Sequence, residues 1–186
     1  MSGPPFSFGT ASQAQLDKAH ADLRRVLERA IQVVDFSVIE TARTIEAQIR
    51  NIRRGVSKTI DSRHIPRDAD GLYDPAQPSI AADCDPYQKG VKAWPQDGDS
   101  TEVRQKKLHR WYYMQGVFLA MAHEEGVHIR QGVDWDMDRD FFDQTFDDLP
   151  HVELHVPWPK LKLSPEQLEA ANDALTSRGL PPYENP

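Results

Sequence analysis

One cysteine, Cys84, occurs in 186 residues, so an intrachain disulfide is excluded and nothing is built for oxidative stapling. A basic excess is missing too: 22 Lys+Arg against 29 Asp+Glu give a formal net charge of −7. That balance argues against a nucleic-acid binder and against recognition of an anionic membrane or polymer by charge alone. Long apolar runs are absent, which argues against transmembrane helices and stable membrane insertion. The uncharged opening, Met1-Ser2-Gly3-Pro4-Pro5, does not read as a secretory signal, so synthesis in the cytoplasm without a leader is expected. There is no internal repeat.

What is present is 39% hydrophobic residues, enough for a packed core, at the length of one ordinary domain or a domain with a tail. Periodicity predicts a helix over 12–34, with Leu16, Ala19, Leu23, Val26, Leu27, Ala30 and Val33 on one face and Ser12 as N-cap. The alternation in 35–40 suits a short strand, and Ile45, Ile49 and Ile52 predict a helix stopping at Gly55. From 57 to about 100 periodicity disappears under Gly, Pro, Asp and Ser, and so long an irregular stretch is usually functional. A helix over 102–125 follows, with Val103, Leu108, Trp111, Tyr112, Phe118, Leu119 and Ala122 as its expected buried side and Gly126 as its end. Residues 127–130 and 151–155 read as strands around an aspartate-dense loop. A capping box, Ser164-Pro165-Glu166-Gln167, opens a last helix that Gly179 closes. Helices mixed with short strands predict an α+β domain.

Two motifs imitate metal sites. His123-Glu124-Glu125-Gly126-Val127-His128 resembles a zinc helix, but histidines five apart point roughly 140° away from each other at ~100° per residue. It reads as a helix C-terminus, where His123 favours the dipole. Asp134-Trp135-Asp136-Met137-Asp138 starts like a calcium loop, yet Arg139 stands where the turn glycine belongs and Thr145 where the closing glutamate belongs. A solvated acidic loop is the plain reading, with looser calcium binding as the alternative. A third set is dispersed: His64 after Ser62-Arg63, Asp83 after Ala81-Ala82, and His151 three residues after Asp148. Two imidazoles and a carboxylate make a three-ligand zinc site with an open position for water. A nearby carboxylate could take that water's proton. Spacing alone cannot separate this set from loop histidines exposed to solvent.

These residues resemble the M15 metallopeptidase family, in particular phage-type L-alanyl-D-glutamate endopeptidases. Six segments carry the likeness in order: Phe6-Ser7-Phe8-Gly9 before a helix; Thr41-Ala42-Arg43-Thr44 with Gln48; Ser57-Lys58-Thr59 with Ser62-Arg63-His64; Ala81 to Tyr87; Gly132 to Asp136; and Asp148-Leu149-Pro150-His151-Val152-Glu153-Leu154. One departure is clear. The family's pattern places its aspartate seven residues after the first histidine, whereas His64 and Asp83 lie nineteen apart around an apparent insertion. Asp70 is nearer the usual spacing, but Asp83 has the matching neighbours and is preferred. Long insertions in surface loops cost little.

The resemblance implies a small antiparallel sheet with helices around it and a zinc site at the sheet. It assigns zinc to His64, Asp83 and His151, the base to Asp148, and oxyanion or substrate-carboxylate binding to Arg43. Ser62 and Gln48 are implied substrate contacts, Ser62 alternatively orienting the His64 loop. Glu153 is either a support for His151 or a surface carboxylate, His155 receives no role, and His20 and His109 read as helix-surface residues. The implied activity is hydrolysis of the peptidoglycan stem peptide between L-alanine and D-glutamate in phage lysis. A monomeric enzyme is expected to reach the wall, in the periplasm, through a separate membrane pore. The alternatives are a D-alanyl-D-alanine carboxypeptidase of the same fold and a non-catalytic structural or wall-binding module. The expected organisation is a catalytic domain over 1–158 and a C-terminal helix with a proline-rich tail over 159–186, the helix docking through Leu161, Leu163, Leu168 and Leu175 or staying mobile.

Overall fold

A computed structural model describes residues 6–141, 143 and 145–186. Among them the chain forms α1 (Thr10–Leu16), α2 (Ala21–Ala30), β1 (Phe36–Glu40), α3 (Ile45–Arg53), β2 (Ala81–Pro86), α4 (Thr101–Glu124), β3 (Ile129–Gln131), β4 (His151–Leu154) and α5 (Pro165–Thr176). Two compact units result, one from Met1–Thr41 with Ala81–Val156 and one from Ala42–Ile80 with Pro157–Pro186.

The first unit holds the sheet, in order β1-β2-β4-β3 with every neighbour antiparallel. This is the small antiparallel sheet of an α+β fold. In α2, Leu23, Val26, Leu27 and Ala30 are buried at helical spacing. The single N-terminal helix expected over 12–34 is instead two. Thr41 Oγ1 donates to the Gln15 carbonyl at 2.7 Å and Lys18 N to the same oxygen at 2.9 Å. A continuous helix would have given that oxygen to Ala19 N; Ala19 N turns to the Leu16 carbonyl instead. His20 is thus no plain surface residue but the N-cap of α2, its Nδ1 accepting from Asp22 N at 3.2 Å. Gly9 precedes α1, and Ser12, expected to cap, accepts from Val38 N of β1 at 3.0 Å.

α4 buries Lys107, Trp111, Met114, Gln115, Val117, Phe118 and Ala122, whereas Val103 and Tyr112 are exposed, against expectation. Tyr112 lies one residue off the 111–114–118–122 face, about 100° around the helix. Lys107 is buried because its ammonium meets Asp99 at 2.6 Å. β2 lies inside the irregular stretch. Its two aspartates and terminal proline make a poor strand by composition, and pairing on both edges, to β1 and β4, specifies it. Pro86 sits at its end, where a missing N–H costs least.

In the second unit α3 packs on α5. Ile45, Ile49 and Ile52 join Ile60, Ile65, Leu161, Leu163, Ala171, Ala174 and Leu175 in one core, with Leu168 and Tyr73 partly buried against it. The C-terminal segment is therefore packed through the leucines expected. Ser164 and Gln167 form the capping box of α5. The stretch after His64 folds back on itself, Arg67 bridging to Tyr73 and Leu72 to Lys162. Gly71 makes this approach possible: at φ 85°, a Cβ there would stand 2.1 Å from the Lys160 carbonyl oxygen.

Candidate active site

In the sheet, β2 and β4 bring two of the implied residues face to face. Asp83 and His151 are direct cross-strand partners, and Asp83 Oδ1 lies 3.3 Å from His151 Nδ1. Two residues along β4, and so on the same face, Glu153 Oε2 lies 3.0 Å from His151 Nε2. Both ring nitrogens of His151 therefore meet a carboxylate. Glu153 is only 2% exposed, and its other oxygen accepts from Arg130 Nη2 at 2.6 Å and Nε at 2.9 Å, across from it on β3. Of the two roles left open for Glu153, the surface carboxylate is excluded. Arg130 also lies 5.3 Å from the Trp135 ring, which stacks at a tilt 5.3 Å from His151.

Burial alone would lower the His151 pKa, but hydrogen bonds to Asp83 and Glu153 outweigh it and raise it to about 9. Burial would push Glu153 up, yet His151 and Arg130 hold it below the usual carboxylate range. A cation on the Asp83 side of the ring satisfies the same negative field as the proton does, and an imidazole donating its far N–H to a carboxylate is the usual support of a metal-bound histidine. The donor chemistry suits zinc.

Asp148 is held by its backbone. His151 N donates to its carbonyl at 3.0 Å, closing a turn, and Asp148 N donates to the Gly132 carbonyl at 2.8 Å. A Cβ at Gly132 would stand 2.3 Å from the Asp148 carbonyl oxygen, so no larger residue allows this approach. From α4, the buried Gln115 donates to the Leu149 carbonyl at 2.6 Å and receives Gln131 Nε2 at 2.6 Å on its own oxygen, fastening the turn to β3. Neither glutamine carried a sequence signal, being buried amides in helix and strand. Nearby, Asp134, Asp136 and Asp138 form an acidic group with spacing fit for a cation. Arg139 there adopts φ 74°, the backbone shape expected of the missing glycine.

The other implied residues lie in the second unit. Arg43 sits just before α3, whose N-cap Thr44 accepts from Ala47 N at 3.2 Å. Its N–H donates to the His64 carbonyl at 2.8 Å and its Nη1 to Gln48 Oε1 at 2.7 Å. Gln48 is fully buried and donates to Ser57 Oγ at 2.8 Å and the Thr59 carbonyl at 2.5 Å. Ser62 Oγ accepts from His64 N at 3.3 Å. Of the seven histidines only His64 and His151 are buried; His109, His123, His128 and His155 are exposed. Asp70 is exposed, in a turn built on the Asp68 carboxylate.

Known proteins share this chain's pattern. The family model for phage L-alanyl-D-glutamate peptidase matches residues 4–155. The L-alanyl-D-glutamate peptidase of Escherichia phage T5 is 28% identical over 158 residues, spanning 80% of this chain and 98% of that protein. The solved structure of the Serratia marcescens L-Ala D-Glu endopeptidase ChiX is similar with a TM-score of 0.56 at 25% identity, over 81% of this chain and 91% of the other.

Proposed function

The chain belongs to the phage L-alanyl-D-glutamate peptidase family, and on that premise we propose that it is a zinc-dependent peptidoglycan hydrolase of phage lysis. It cuts the stem peptide between L-alanine and D-glutamate, the bond named for its relatives. The observation that carries the chemistry is His151 facing Asp83 through one ring nitrogen and Glu153 through the other.

Zinc is assigned to His64, Asp83 and His151, the ligand set that the family's motifs imply for these positions, two imidazoles and a carboxylate that leave a coordination position open. Asp83 is preferred to Asp70, which is exposed in its own turn. When bound, zinc acidifies water and polarises the scissile carbonyl. Asp148, held by its turn, takes the proton of the attacking water and passes it to the leaving amine. Arg43 offers its planar fork to the developing oxyanion or to a substrate carboxylate. Gln48, being buried, acts through Arg43 rather than on substrate directly, and Ser62 orients the His64 loop. Calcium, as a lesser cofactor, falls to Asp134, Asp136 and Asp138, whose oxygens suit a hard cation.

The partner is the peptidoglycan stem peptide, met by a monomer. No described helix is long and apolar enough to cross a membrane. The phage-lysis role carries with it a separate membrane pore as the route to the wall. Zinc analysis and lysis assays on Asp148→Ala test the reading. One zinc per chain with lysis abolished supports it; undiminished lysis refutes the assigned base, and a non-catalytic module would show no lysis in the wild type either.

A further inference from the structure

Arg67 lies three residues after His64, and its side chain is wholly buried. All three of its guanidinium nitrogens donate around the His64 loop. Nη2 donates to the Ser62 carbonyl at 2.6 Å, Nε to the Ile65 carbonyl at 3.3 Å, and Nη1 to the Pro159 carbonyl at 2.9 Å while also pairing with Asp61. Asp61 in turn accepts from Leu161 N at 3.3 Å, and the Tyr183 hydroxyl donates to the Leu161 carbonyl at 2.7 Å. The guanidinium carbon lies 5.8 Å from the Trp158 ring. Arg67 thus holds the carbonyls on both sides of His64 and ties them to a C-terminal segment that lies beyond the family match at 4–155.

We propose that Arg67, braced by Pro157–Pro186, is a positioning element that holds the His64 loop in its metal-binding conformation. The proposal rests on the reading of His64 as a zinc ligand. A guanidinium suits the task because a rigid fork of five donors addresses three carbonyls and a carboxylate in different directions, which a lysine ammonium does not. Without it the carbonyls of Ser62 and Ile65 lose their buried donor, the loop samples other conformations, and zinc binding must order it again.

The test is the zinc dissociation constant of the full chain, measured at 15 °C by competition with a chromophoric chelator, with circular dichroism melts alongside. Arg67→Lys and Arg67→Met, folded at that temperature, are expected to bind one zinc about 10–100-fold more weakly, the range for lost support of a metal ligand. Their lysis should fail at limiting zinc and return at saturating zinc. Tyr183→Phe, which removes only the hydroxyl bond to Leu161, should weaken zinc by about threefold. If Arg67→Met does not fold, Arg67→Lys and Tyr183→Phe decide. Wild-type zinc affinity in folded Arg67→Lys, with only a lowered melting temperature, would overturn the proposal and leave Arg67 a plain stabiliser. His64→Ala separates the two failures: if it binds zinc as tightly as wild type, the ligand assignment itself is wrong.

Discussion

Replacing Glu153 perturbs the most deeply buried carboxylate of the sheet site. Its oxygens contact His151 Nε2 at 3.0 Å and Arg130 at 2.6 and 2.9 Å, and it is 2% exposed. Glu153→Ala leaves an imidazole and a guanidinium without their acceptor. Breaking a buried pair from one side costs about 3–5 kcal/mol; because the Arg130 side chain is 28% exposed, solvent relieves part of this and the lower end, about 3 kcal/mol, applies. For a chain of this length each kcal/mol moves the melting temperature by about 2–4 °C, so calorimetry of the metal-free protein should show a fall of about 6–12 °C. Glu153→Gln keeps the volume and one acceptor and should lose less stability. Both variants should bind zinc about 10–100-fold more weakly, or about 1.4–2.7 kcal/mol, because His151 is no longer held in one tautomer and orientation. An unchanged melting temperature in Glu153→Ala, together with wild-type zinc affinity, would refute the claim that Glu153 orients the metal-facing ring.

Other substitutions probe the parts around it. Gly132→Ala drives a methyl against the Asp148 carbonyl, 2.3 Å away; it should cost about 1–3 kcal/mol in denaturant unfolding and cut kcat by about 100-fold as Asp148 is displaced, with zinc content unchanged. Gln48→Leu removes the acceptor of Arg43 Nη1 and should lower kcat/KM by at least about tenfold while leaving zinc affinity as in the wild type. Burial pushes the Tyr183 pKa up to about 12, Asp61 adding to the rise and Arg67 opposing it. A raised phenol favours the neutral form in the fold, so its stabilisation is complete below the unfolded value near 10 and is lost as pH rises through about 12. Unfolding measured between pH 9 and 12 should show that loss in the wild type and less of it in Tyr183→Phe.

How much of this was legible in the sequence depended on what kind of signal each residue carries. α3 and α5 were readable because apolar spacing, a capping box and terminal glycines agree locally. The break between α1 and α2 was not, because Thr41, the residue just after β1, takes the Gln15 carbonyl, a contact without a local trace. β2 was hidden for the same reason: Ala-Ala-Asp-Cys-Asp-Pro becomes a strand only between two partners. His64, Asp83 and His151 were singled out by ordered motifs around them, not by spacing, which an insertion had stretched. Glu153 could be placed on the face of His151 by strand alternation, but its burial needed Arg130 across the sheet. Arg67 gave no sign at all, since a buried arginine inside a polar stretch looks like any solvated one.

The central claim is the bond that is cut. Mass analysis of products from purified muropeptides, incubated with the zinc-loaded protein, reads it directly. The expected products are a peptide beginning at D-glutamate and a muramyl fragment retaining L-alanine. Release of terminal D-alanine alone would contradict it and turn the same site into a carboxypeptidase.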